Sequence, residues 1–182
     1  MQMTDDILYT LISEEELQSA VKKLGEQISR DYEGKNLLMV SVLKGSVVFM
    51  ADLMRAITMP LSVDFMSVSS YGSGTKTSGV VRILKDLAMP ITGYDLLIVE
   101  DILDSGMTLQ YLKTLLEGRE PSSVRIATLL FKPERLKADI KPDYVCFEVP
   151  DHFVVGYGLD FDEKYRNLPF VGVLKPECYG EK

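Results

Sequence analysis

Histidine occurs once in the 182 residues, at His152. A histidine-based catalytic triad or a multi-histidine metal site is therefore unavailable. Cysteine occurs twice, at Cys146 and Cys178, with neither metal-ligand spacing nor disulfide density. Both are expected to be buried or inert, the usual behaviour of free cysteine. Basic residues are outnumbered: 20 Lys and Arg face 27 Asp and Glu, a net charge of −7. A chain built to hold a nucleic-acid backbone usually shows the opposite balance, so no nucleic-acid partner is expected. No apolar run approaches the roughly 18 residues of a membrane span, so no membrane partner is expected either. Met1 to Asp6 is polar and acidic, unlike a secretory signal. Glycine and proline number only 13 and 8, too few for a collagen-like or linker-like chain. What is left is a reduced, cytoplasmic, globular protein, long enough to bury a real core in one domain.

What is present reads as alternating strands and helices. Ser13 and Glu16 form an S-x-x-E capping box. Leu17, Val21, Leu24 and Ile28 then recur at helical spacing, and Gly34 is a stop signal. Leu37 to Leu43 is an apolar run of strand length, broken by Lys44-Gly45, and Val47 to Ile57 reads as a helix. Strands are expected at Leu61–Val68, Val80–Leu84, Asp95–Glu100 and Val124–Phe131. Further short strands are expected at Asp143–Glu148, Phe153–Tyr157 and Phe170–Leu174, and a helix at Gly106–Glu117. This order predicts an α/β domain with a parallel-rich twisted sheet flanked by helices. The whole chain, 1–182, is expected to form that one domain. Its core is placed at about 13–150, and a small C-terminal hood is built mainly from about 151–182. Nine of the eleven residues from Ser69 to Gly79 are Ser, Thr or Gly. So polar a segment is expected to be a mobile surface loop.

In parallel sheets ligands bind beyond the carboxyl ends of the strands. There the sequence places Glu100-Asp101-Ile102-Leu103-Asp104-Ser105-Gly106-Met107-Thr108. A buried strand delivers two adjacent carboxylates, and an Asp-Ser-Gly-x-Thr turn then opens a helix. Backbone N–H groups at that turn, the helix dipole and the hydroxyls of Ser105 and Thr108 favour a phosphate. Gly106 permits close backbone approach. Two carboxylates beside a phosphate suit a ribose diol or Mg²⁺. The plain alternative is that Glu100 and Asp101 merely end a strand while Asp104 or Ser105 caps the helix. Neither a Walker A loop nor a G-x-G-x-x-G fingerprint is present.

The stretch VEDILDSGMTL resembles the phosphoribosyl-pyrophosphate (PRPP) motif of the type I phosphoribosyltransferases. More narrowly, the chain is similar to the bacterial hypoxanthine phosphoribosyltransferases. The similarity also takes in Leu43-Lys44-Gly45-Ser46, Ser70-Tyr71, Phe131-Lys132-Pro133 and the run from Pro150 to Asp160. It implies the type I phosphoribosyltransferase fold and transfer of a 5-phosphoribosyl group from PRPP to hypoxanthine, and to guanine as well. By the same resemblance Glu100 and Asp101 would bind the ribose hydroxyls, with Mg²⁺ nearby. Asp104 would act as general base at purine N7. Ser105, Gly106, Met107 and Thr108 would cradle the 5′-phosphate. Lys44 and Gly45 would bind pyrophosphate through an unusual cis peptide. Ser70 and Tyr71 would close over it, and Arg166 would approach it. Lys132 would donate to the 6-oxo group, Phe153 would stack on the ring, and Val154 would offer backbone contacts. Asp160 would lie by the purine and reach a second Mg²⁺. A homodimer or homotetramer is the assembly the resemblance suggests.

Each assignment has a plainer counterpart. Lys44 and Lys132 could be solvated surface lysines. Phe153 alone could be a core residue, and the Ser/Gly segment an ordinary loop. His152 is expected to be a partly exposed residue beside the site. Two rival functions stand against the first. One is a guanine- or xanthine-preferring relative; the other is a non-catalytic PRPP sensor that binds nucleic acid.

Overall fold

The structure is a computed structural model and describes residues 3–70 and 81–180. Six strands form the main sheet: β2 (Leu37–Leu43), β3 (Ser62–Ser70), β4 (Val81–Lys85), β5 (Asp95–Leu103), β6 (Ser123–Phe131) and β7 (Tyr144–Glu148). Their order is β4-β3-β2-β5-β6-β7. All neighbours are parallel except β3 and β4. Both faces of the sheet are covered, which is why β2 and the middle of β5 read as near-continuous apolar runs. Along β2, Leu37 and Met39 point into one core while Leu38, Val40 and Val42 point into the other. β5 alternates the same way, with Leu97 and Val99 on one side and Leu96 and Ile98 on the other.

Helices supply the two covers. α1 (Glu14–Asp31) and α2 (Val47–Ala56) lay Leu17, Val21, Leu24, Ile28, Phe49, Met50 and Leu53 on the first face. α3 (Met107–Glu117) lays Leu109, Leu112 and Leu116 on the second. The S-x-x-E expectation at α1 holds in both directions. Ser13 Oγ accepts from the Glu16 amide at 3.3 Å, and Glu16 Oε2 accepts from the Ser13 amide at 2.8 Å.

The second, smaller sheet joins β1 (Ile7–Ile12), β8 (Val154–Val155) and β9 (Val171–Leu174) in the order β1-β9-β8. The N-terminal segment therefore takes part in the hood through β1, a strand that the sequence pattern does not announce. Val155, Tyr165, Leu168 and Leu174 form its own small core. β8 is shorter than the expected 153–157 because Gly156, Tyr157 and Gly158 all adopt positive φ and turn the chain. β5 is longer than the expected 95–100. Pairing with β6 continues through Glu100↔Thr128, Ile102↔Leu130 and Leu103↔Phe131, so both carboxylates lie on the strand itself.

Candidate active site

The carboxyl ends of β2 and β5, the start of α3 and the hood meet around two adjoining cavities. The first, of about 360 Å³, is walled by Lys44, Gly45, Glu100, Asp101, the Asp104–Gly106 turn, Thr108, Asp160 and Arg166. The second, of about 520 Å³, is walled by Lys132, Arg135, Asp151, His152, Phe153, Val154 and Tyr179. Asp101, Ile102, Asp104 and Asp160 line both. Of the candidate residues that the structure describes, all but Ser70 and Met107 line one or both cavities.

Gly106 rules out the capping part of the plainer reading of the turn. It is the N-cap of α3 with φ +77°, and no side chain caps the helix. Asp104 and Ser105 are therefore not caps, and the first-turn N–H groups have no side-chain cap among the described residues. A Cβ at Gly106 would sit 2.9 Å from Leu136 and Ile140 side-chain carbons, so the turn needs glycine twice over. The Ser105 carbonyl accepts from the Lys137 and Ala138 amides, which fixes the turn from outside the helix. Met107 opens α3 with an exposed side chain.

Gly45 is the closest approach in the first cavity. A Cβ there would stand 1.7 Å from Asp101 Oδ2, and one on Gly158 would stand 2.0 Å from the Gly45 carbonyl oxygen. The hood therefore rests on the β2 loop backbone to backbone. The Leu43–Lys44 peptide bond is cis. Lys44 Nζ pairs with Glu163 at 3.0 Å, and Arg166 pairs with Asp160 at 2.9 Å and with Glu163 at 3.5 Å. Arg166 also donates to the Gly158 carbonyl, while its buried Nε has no partner among the described residues. Ser70 ends β3, where its backbone pairs with Val81. Tyr71 and the rest of the Ser/Gly segment to Gly79 lie outside the described residues.

Lys132 is not a surface lysine: it is 7% exposed. Its ammonium donates to the His152 carbonyl at 2.7 Å and to Asp151 at 3.4 Å. Phe153 is not core either, being 38% exposed and facing the second cavity. His152 is half-buried beside it, with its ring edge-on to Tyr9. Among the described residues, no three His, Cys, Asp or Glu side chains come together as a metal cage. Cys146 and Cys178 are free and half-buried, and burial pushes the Cys146 thiol up to about 12.

A family model for the phosphoribosyl transferase domain matches residues 13–162. The chain belongs to the phosphoribosyltransferase family. A hypoxanthine-guanine phosphoribosyltransferase of Streptococcus thermophilus is 54% identical over 176 residues, which cover 97% of this chain and 98% of the relative. One from Bacillus subtilis is 55% identical over 177 residues, with 97% and 98% covered. The crystal structure of a hypoxanthine phosphoribosyltransferase from Staphylococcus aureus superposes with a TM-score of 0.96 at 51% identity, covering 98% of this chain and 97% of that one. No helix among the described residues is long and apolar enough to cross a membrane.

This phosphoribosyltransferase keeps its acidic pair under electrostatic load. Asp101 is pushed up from 3.8 to about 6, chiefly by desolvation and also by the Asp160 charge; backbone N–H donors and Arg166 pull the other way. Glu100 is pushed well above its ordinary value by desolvation and by Asp101. The native state thus holds the Asp101 proton more tightly than the unfolded chain does. Stability is lost as pH rises from 3.8 to about 6 and stays lower above that. Asp101→Asn removes the titration and keeps an oxygen for the Ile102 amide, which now donates to Asp101 Oδ1 at 2.8 Å. The ligand-free variant should melt about 2–6 °C higher than the unaltered chain at pH 7. The gap should open through the same pH window and level off above it. Thermal melts across that window check this, and a variant that melts lower at pH 7 refutes it.

The sequence reading gives no role to Arg135, Asp151 and Tyr179, which line the second cavity, or to Glu163, which pairs with Lys44. Arg135 links Asp104 to Asp151, at 2.5 Å and 3.1 Å. It lies three residues after Lys132, in the short 3-10 turn Pro133–Arg135. That spacing is the one signal by which it could have been found.

Proposed function

We infer that the chain transfers the 5-phosphoribosyl group of PRPP to hypoxanthine, and to guanine, as a step of purine salvage. The products are the nucleoside monophosphate and pyrophosphate. The observation that carries this reading is the wall of Asp101, Ile102, Asp104 and Asp160 shared by the two cavities. One cavity ends at an uncapped helix N-terminus suited to phosphate. The other ends at a buried lysine and an open phenyl ring suited to an oxopurine. The reacting C1′ then lies at the wall, where the C1′–O bond to pyrophosphate breaks and the C1′–N9 bond forms.

The side chains divide the work. Ser105, Gly106, Met107 and Thr108 take the 5′-phosphate, and Glu100 and Asp101 take the ribose hydroxyls. Lys44, Gly45 and Arg166 take the pyrophosphate; the family resemblance assigns Ser70 and Tyr71 to the same group, Tyr71 lying outside the described residues. Positive charge there stabilises the leaving group as C1′ becomes cationic. Asp104 accepts the purine N7 proton. Lys132 donates to the 6-oxo group, Phe153 stacks on the ring, and Val154 and Asp160 complete that side. Glu100, Asp101 and Asp160 also suit Mg²⁺, because this ion usually takes one or two carboxylates plus substrate phosphates and needs no protein cage. When bound, Mg²⁺ neutralises developing pyrophosphate charge. The compartment we propose is the cytoplasm, and the assembly a homodimer or homotetramer; both rest on the family resemblance.

A base panel tests the reading. Purified protein with Mg²⁺, PRPP and one of hypoxanthine, guanine, xanthine, adenine, uracil or orotate is assayed for pyrophosphate and nucleotide. Product is expected with hypoxanthine and guanine. Product with guanine or xanthine in preference would favour the relative with that specificity. PRPP binding with no pyrophosphate release from any base would favour a sensor.

A further inference from the structure

The C-terminal turn reaches the second cavity. α4 (Pro176–Tyr179) follows β9 directly and is tied down by the N-terminal segment. The Lys175 amide donates to the Asp6 carbonyl at 3.0 Å and Lys175 Nζ donates to the Asp5 carbonyl. Cys178 packs against the hood core. The turn therefore delivers Tyr179 to a fixed place. Its ring lies on Phe153 with centroids 4.6 Å apart and an interplanar angle of 19°, an offset stack. Phe161 meets Phe153 edge-on at 5.5 Å and 87°. Tyr179 and Phe153 both line the cavity that holds Lys132 and Asp104.

We propose that Tyr179 is a positioning residue of the purine site, which backs the Phe153 ring on the face away from the base. This rests on the proposed base-binding role of that cavity. Phe153 is substantially exposed, so the cavity wall alone does not fix its ring plane. The Tyr179 stack and the Phe161 edge do fix it before a base arrives, and such pre-organisation lowers the ordering cost of binding. The opposite assignment is that Tyr179 plugs the site and must leave. Cavity size speaks against it: about 520 Å³ stands open with Tyr179 in place. That already lies within the roughly 300–1,000 Å³ of small-molecule sites.

Steady-state kinetics of Y179A, Y179L and Y179F decide the matter. Loss of one aromatic pair should raise KM for hypoxanthine about threefold to tenfold in Y179A and in Y179L. KM for PRPP should stay within about twofold, because Tyr179 does not line the first cavity. Y179F keeps the ring and should restore the hypoxanthine KM. Y179L keeps apolar bulk without a ring, so it carries the test if Y179A does not fold. A hypoxanthine KM that is unchanged, even with a lowered melting temperature, makes Tyr179 purely structural and overturns the proposal. A lowered KM makes it a plug and also overturns it. If the unaltered chain makes no nucleotide from any purine, the base-site reading itself fails and this proposal falls with it.

Discussion

Asp104→Asn should lower turnover with hypoxanthine by about 10²–10⁴, the range spanned by loss of a general acid or base. The change keeps size and shape and removes only the capacity to take a proton. Asp104 is well placed to take one. It lies one residue beyond β5, on the wall between the phosphate side and the base side. Arg135 engages its Oδ1, and a carboxylate has a second oxygen with which to accept. Arg135 is held in turn by Asp151, so it can steady the carboxylate without occupying all of it. PRPP affinity should change little. The proposed phosphate cradle is made of backbone and hydroxyls at Ser105 to Thr108, and the acidic pair proposed for ribose stands earlier on β5. Turnover assays paired with PRPP binding separate the two effects. Near-normal turnover in the variant would remove Asp104 from the chemistry. Weak PRPP binding with normal chemistry at saturation would reassign it to the ribose side.

The parts of this molecule legible in sequence are those written in local periodicity. β2, apart from Ser41, and Leu96–Val99 of β5 are apolar runs because both sheet faces are covered, and α1 shows its capping box and its i, i+4, i+7 stripe within sixteen residues, Ser13–Ile28. The turn at Asp104–Thr108 is legible for the same reason: strand, small residues and helix follow one another in a single stretch. The rest depends on partners far away in the chain. β1 is six residues whose pairing is with Val171–Leu174, so nothing near it in sequence marks it as a strand of the hood. Glu163 acquires its meaning from Lys44, 119 residues earlier. Arg135 and Asp151 become a pair because β6 and β7 run parallel, which brings the segments after Phe131 and Glu148 side by side. Tyr179 sits in a four-residue turn with no periodicity at all. That the helix start carries no side-chain cap goes with one dihedral, the positive φ of Gly106, which a sequence permits but does not state.

Lys132→Met should narrow the enzyme's preference for hypoxanthine over adenine. Hypoxanthine and guanine present an acceptor oxygen at C6, whereas adenine presents an amino donor. A lysine ammonium has three donors and no acceptor. Two of the three are spent on His152 and Asp151, which aim the group and leave one donor for the cavity. Because Lys132 is buried, water does little to screen a mismatch. A hydrogen bond to a charged group is worth roughly 1.5–3 kcal/mol, and leaving buried groups unpaired costs at least as much. Together these support discrimination against adenine of about 10³ or more, as in sites built around a required hydrogen bond. The methionine variant keeps the stem and loses the charge. Its kcat/KM for hypoxanthine should fall by about 10–10², while adenine, which gains nothing from the lysine, should lose little. The adenine-to-hypoxanthine ratio should therefore rise. The variant also strips the His152 carbonyl of its donor, so its melting temperature is measured alongside. A general loss of fold would lower both bases equally and leave the ratio where it was. An unchanged ratio in a folded variant would mean that Lys132 does not read the 6-position, and that the oxopurine preference comes from elsewhere in the second cavity.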